Sequence, residues 1–91
     1  MNKEILQHIA KGESEFLEFK TSFNKEVIET LVAYANAKGG DVIIGVSDTK
    51  KIIGVTVSEE SIQNWINQMK QTTYPQLIPE VVTYIIKEKK I

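Results

Sequence analysis

Ala33-Tyr34-Ala35-Asn36-Ala37-Lys38-Gly39-Gly40-Asp41-Val42-Ile43-Ile44-Gly45-Val46-Ser47-Asp48 holds the end of an apolar helix, a paired-glycine turn, an uncharged strand and a polar turn. Gly39 and Gly40 can take the positive φ that closes a helix C-terminus and lets the chain reverse at once. Val42 to Val46 carries no charge on either side of the pleat, and Gly45 falls within that run. Such a strand is expected at the centre of a sheet with both faces covered.

Working outward, Val27, Ile28, Leu31, Val32 and Ala35 recur at helical spacing before the glycines. They predict a helix from about Asn24 to Lys38 that covers the central strand, with Asn24 suited to its start. Ahead of it, Glu15 to Lys20 is rich in aromatic residues and predicts a strand. Alternation sends Leu17 and Phe19 to one face and Glu18 and Lys20 to the other. The first residues predict a short helix from Asn2 to Lys11, with Ile5, Leu6 and Ile9 on one face and Gly12 as its stop. After Asp48 to Lys51, a polar turn, Ile52 to Val57 predicts a second strand and therefore a hairpin with 42–46. Ser58 caps a third helix with an apolar stripe of Ile62, Trp65, Ile66 and Met69, ended by Tyr74-Pro75. Val81 to Ile86 predicts the last strand. The expected fold is α/β (α+β), in the order α-β-α-β-β-α-β, with a mixed sheet around strand 42–46.

Ninety-one residues make one domain, and 42% hydrophobic with 25% charged residues is an ordinary globular composition. The absence of cysteine rules out a disulfide framework and thiolate metal sites, and it suits a reducing cytoplasm. His8 is the sole histidine and has no partner of its kind for a metal site. Net charge is −1, and all 11 basic residues are lysines. Arginine is the preferred residue for bidentate guanine contacts, so its absence argues against base-specific readout. Up to Asp48 the chain has 5 Lys against 8 acids, and beyond it 6 Lys against 4. The cluster Lys87, Lys89 and Lys90 reads most simply as a solvated end. An apolar strand so close to that end leaves a sheet edge needing a cover, which makes a homodimer through the C-terminal strand an expectation.

Gly12-Glu13-Ser14, then Leu17-Glu18-Phe19-Lys20, then Ala33 to Gly40, then Ile43 to Asp48 and Ile53-Gly54-Val55 together resemble the Schlafen AlbA domain family. The motifs run in order over roughly residues 12 to 57. The resemblance implies a fold related to the archaeal chromatin protein Alba and a DNA-binding role. Such domains lie in transcriptional regulators and RecG-like helicase-related proteins. It also implies that family domains run further, so residues 1–91 are expected to be a single domain shortened at its C-terminal end. Some Schlafen members are metal-dependent ribonucleases. Transferred by motif position, their carboxylates are Glu13, Glu18 and Asp48, which would hold Mg²⁺ or Mn²⁺ to activate water.

Each candidate has a plain counterpart. Glu13 can be a loop acid, Glu18 the partner of Lys20, and Asp48 a turn residue bonded to its own backbone. Lys20, Lys25 and Lys38 can contact a nucleic-acid backbone as point charges, with Asn36 beside them, or serve only solubility. Gly39, Gly40 and Gly45 are read as structural turn residues, because Gly39-Gly40 precedes a strand and does not open a phosphate-binding helix. The expected function is nucleic-acid binding, DNA before RNA, with no cofactor; a metal-dependent endoribonuclease and a dimerisation or partner-binding domain are the alternatives.

Overall fold

The computed structural model describes residues 2–73, 79–86 and 89–91. They form α1 (Asn2–Lys11), β1 (Leu17–Lys20), α2 (Lys25–Ala35), β2 (Asp41–Ile44), α3 (Glu59–Thr72), β3 (Ile85–Ile86) and β4 (Lys89–Lys90). The result is a small mixed α/β protein with short strands in two two-stranded sheets, one parallel (β1 and β2) and one antiparallel (β3 and β4).

The parallel pair sets the arrangement. Its register places Leu17 opposite Asp41 and Phe19 opposite Ile43, so a crossover must connect the two strands, and α2 is that crossover. Asn24 starts α2 by accepting the Glu26 N–H on its side chain at 3.0 Å. At the other end the Asn36 N–H returns to the Val32 carbonyl at 3.0 Å and the Gly39 N–H to the Tyr34 carbonyl at 2.8 Å, with Gly39 at φ +88°. Gly40 then lies under the Tyr34 ring. A Cβ there would come within 2.7 Å of the ring carbons, so only glycine admits this packing.

Each face of the pair has its own cover. Leu17, Phe19, Ile43 and Val46 join Ile5 and Ile9 of α1 and Ile86 and Ile91 near the C-terminus in one buried cluster, with Phe19 only 2% exposed. Leu6 was expected on the same helix face but is exposed. The opposite face carries Glu18 and Lys20, which meet polar side chains of α2. The alternation along β1 is thus the expected one. α3 starts with a capping box, in which the Ser61 N–H donates to Ser58 Oγ at 3.2 Å and the Ser58 N–H to Ser61 Oγ at 2.7 Å. Its stripe buries Met69 and stacks Trp65 on Phe23 with ring centroids 4.7 Å apart.

The expected hairpin between 42–46 and 52–57 is reduced to one bridge, Val46 to Ile52. The reason lies in two glycines. Gly45 sits at φ +103° and Gly54 at φ +87°, and the Gly45 carbonyl accepts from both the Ile53 N–H (2.8 Å) and the Gly54 N–H (2.9 Å). The outgoing chain therefore leaves β2 and turns to β4, where the Val55 N–H donates to the Lys90 carbonyl at 2.8 Å. The order among the described residues is α-β-α-β-α-β-β, with β2 bonded in its ladder to β1 on one side. Within the expected last strand, 81–86, only Ile85–Ile86 is ladder-bonded, and Tyr74-Pro75 and Lys87 lie outside the described residues.

Gly39→Ala places its Cβ in open space and meets only the left-handed backbone penalty, about 1 to 2 kcal/mol. Gly45→Ala adds contacts at 3.2 Å with the Gly54 carbonyl carbon and 3.3 Å with the Lys90 oxygen, backbone atoms that cannot swing aside. Urea unfolding should rank Gly45→Ala as the more destabilised by at least about 1 kcal/mol; equal midpoints would contradict the glycine crossing.

Candidate nucleic-acid interface

The three carboxylates are best followed from the backbone. Gly12, at φ +83°, turns the chain out of α1, and Ser14 and Leu17 exchange backbone bonds at 2.9 and 3.4 Å. That fold-back lays Glu13 along the edge of β1, where its Oε2 accepts the Phe19 N–H at 3.0 Å. In a parallel ladder alternate residues bond the neighbour, and the Asp41 and Gly45 N–H groups donate to the Phe16 and Lys20 carbonyls of the β1 strand. Phe19 therefore directs its N–H away from β2, and Glu13 covers an otherwise open sheet edge.

Glu18 is half-buried, accepts the Thr30 hydroxyl at 3.0 Å and pairs with Lys20 at 3.4 Å. Lys20 also donates to Glu26 at 3.1 Å. Asp48 stands exposed in a turn that Ser47 holds. The Ser47 hydroxyl accepts the Lys51 N–H at 3.2 Å, and the Ser47 N–H donates to the Lys51 carbonyl at 2.9 Å. Among the described residues no three His, Asp or Glu side chains come together as ligands for a cation. Glu13, Glu18 and Asp48 as placed do not fit a three-carboxylate metal centre.

Glu13 and Glu18 do share a neighbour. The Tyr34 phenol is pushed above its ordinary 10.0, first by burial, then by the charges of Glu18, Glu13 and Asp41.

The lysines singled out in the sequence are dispersed. Lys20 is engaged by two carboxylates, and its ammonium is held above the ordinary 10.5 chiefly by the hydrogen bond to Glu26. Lys25 opens α2 and Lys38 follows it, both exposed, at opposite ends of a helix about 16 Å long. Asn36 contributes its backbone to the C-terminal cap and leaves its side chain exposed. Gly39 and Gly40 lead into β2 and do not open a helix.

A different set of lysines is gathered by long-range contacts. β4 lies against the chain leaving the Ser47 turn, with the Lys89 ammonium on the Ile52 carbonyl and that of Lys90 on the Val57 carbonyl, each at 3.3 Å. Lys89 and Lys90 are exposed there, and Lys51, also exposed, immediately precedes Ile52 in the sequence. Lys50 flanks it, at φ +68°, with its ammonium on the Ala10 carbonyl at the end of α1 (3.0 Å). Both ion pairs among the described residues belong to Lys20, so these lysines are not neutralised by bonded acids there. The signal in the sequence was the shift of lysines past Asp48; what brings 89–90 to the chain after Lys51 is tertiary.

Comparison with known families matches residues 13–91 to the family described as Schlafen, AlbA_2. A curated protein of Ureaplasma parvum serovar 3, named as an uncharacterized ATP-binding protein, is 33% identical over 95 aligned positions, which take in 92% of this chain and 26% of that protein. The chain spans about a quarter of that relative's length. No solved structure matches. Among the described residues no helix is long and apolar enough to cross a membrane.

Two consequences of the site can be measured. Lys20 and Tyr34 both have folded-state pKa values above their ordinary 10.5 and 10.0, so the folded chain binds those protons more tightly. Their contribution is complete below about pH 10 and is lost as pH rises through the raised values. The urea midpoint should fall above that pH, and less steeply in Tyr34→Phe; an unchanged slope would remove Tyr34 from the account. Glu13→Ala leaves the Phe19 N–H without its acceptor and should cost about 1 to 2 kcal/mol, whereas Glu13→Gln, which keeps an acceptor oxygen, should recover most of it.

Proposed function

The chain belongs to the Schlafen, AlbA_2 family, and on that premise we propose that it is a nucleic-acid-binding domain that holds the phosphate backbone through Lys51, Lys89 and Lys90. The observation that carries this reading is that Lys89 and Lys90 are held on the chain 52–57, directly after Lys51, by their contacts to Ile52 and Val57. Lysine ammonium groups act on phosphates as point charges, and the chain has no arginine for bidentate base contacts. The binding is therefore electrostatic and indifferent to sequence. Duplex DNA, with its dense paired phosphates, is the preferred ligand over RNA, consistent with a module of a regulator-type protein. Lys25 and Lys38 add secondary contacts at the ends of α2.

The ATP-binding in the name of the Ureaplasma relative is said of a protein of which this chain spans 26%. The two helices with N-terminal caps, α2 and α3, open on Asn24 and Ser58 with Glu26, Glu59 and Glu60 in their first turns, which repel a triphosphate. A nuclease reading has less support still, because Glu13 serves the backbone of β1 and Glu18 serves Thr30 and Lys20.

Binding to a random-sequence DNA duplex should weaken linearly in log Kd against log salt. Replacing Lys51, Lys89 and Lys90 together by alanine should reduce that slope by about 2 to 3, at roughly 0.9 per phosphate contact, while Lys20→Ala leaves it nearly unchanged. A slope insensitive to the triple substitution, in protein that still unfolds cooperatively, would defeat the assignment.

A further inference from the structure

β2 has the composition of an interior strand and the position of an edge strand. Since Asp41 and Gly45 donate toward β1, the N–H groups of Val42 and Ile44 face the other way, where β2 has no ladder partner among the described residues. That side opens on a cleft of about 630 Å³. One wall is β2; the other includes residues 81–84, which run into β3, and Val55 and Val57 line it as well.

Two segments could serve as the missing neighbour. The chain at 55–57 is already committed to β4, through the Val55 N–H on the Lys90 carbonyl (2.8 Å) and the Lys90 ammonium on the Val57 carbonyl (3.3 Å). Residues 81–83 are not. Val81 and Val82 are large apolar side chains left 40% and 58% exposed. Tyr84 exchanges both backbone bonds with Ile91, at 3.1 and 3.0 Å, so Tyr84 faces β4 and, by alternation, the N–H groups of Thr83 and Val81 are both turned from it. Thr83 and Val81 line the same cleft as Val42 and Ile44.

We propose that residues 81–84 are a strap that closes across the cleft as a strand on the free edge of β2, joining the two small sheets into one of order β1-β2-β3-β4. The closed form pairs the open N–H groups of Val42 and Ile44, covers Val81 and Val82, and gives β2 the interior position that its sequence fits. Two-stranded sheets are marginal alone, so closure has a clear driving force. Closure also shuts the cleft that Tyr34 and Trp65 line, so the open and closed forms present different surfaces.

Residue-resolved amide exchange by NMR on the full chain tests this. The Ile43 amide, bonded to β1, is the internal reference for an intact fold. Closure predicts that Val42 and Ile44 exchange about 100-fold more slowly than unprotected amides, independently of protein concentration, with NOEs from Val42 or Ile44 to Val81 or Thr83. Thr83→Pro removes the donor and should return Val42 and Ile44 to fast exchange with Ile43 still protected, whereas Thr83→Val should not. Fast exchange in the unaltered chain would overturn the proposal. So would protection that grows with concentration, which would assign the edge to a second copy, or protection that survives Thr83→Pro. Should Thr83→Pro also expose Ile43, the NOEs decide the matter without a variant.

Discussion

The parallel pairing of β1 with β2 is the constraint on which the rest depends. Adjacent parallel strands cannot be joined by a tight turn, so α2 must begin and end within a few residues of the sheet. Its start is sealed by Asn24 and its end by Gly39, Gly40 and the Tyr34 ring. Once the pair exists it has two faces to cover. α1 and the C-terminal residues Ile86 and Ile91 take the apolar one, and α2 takes the one bearing Glu18 and Lys20. The polar contacts on the second face lie close to solvent, where ion pairs contribute little stability, so most of the cohesion comes from the apolar cluster around Phe19 and Val46.

The features legible in the sequence were those that local chemistry decides. Asn24 and Ser58 cap helices because a short side-chain acceptor satisfies N–H groups two or three residues on. Gly39 closes α2 because glycine tolerates positive φ, and the Leu17 and Phe19 alternation holds because the pleat has a period of two. Family membership was legible as well, from motifs that local folding keeps in order. The hairpin was not. Gly45 and Gly54 fit a strand pattern by spacing, but their backbone dihedrals send the chain from β2 toward β4, a choice that depends on where Ile91 and Lys90 sit.

The same distinction separates the site residues. Glu13 looked like a ligand or a loop acid, and its role as acceptor for Phe19 appears only when Gly12 folds the loop back on β1. Lys20 was read as a partner of Glu18 or as a phosphate contact, and it also has Glu26 beside it once α2 is in place. Lys89 and Lys90 looked like a solvated end and are instead tied to the chain that follows Lys51. In each case the deciding partner comes from packing and not from the neighbouring residues.

Charge then ties the fold to the proposed function. A chain of net charge −1 has no long-range attraction for DNA, so any affinity must come from local segregation of its lysines from its acids. In the proposed reading Lys51, Lys89 and Lys90 supply that segregation. The most direct measurement is amide chemical-shift mapping of the isotope-labelled chain titrated with a short DNA duplex at low salt. Shifts concentrated at Lys51, Ile52, Val55, Lys89 and Lys90 are the predicted result. Shifts confined to the ends of α2, around Lys25 and Lys38, or none at saturating DNA, would contradict it.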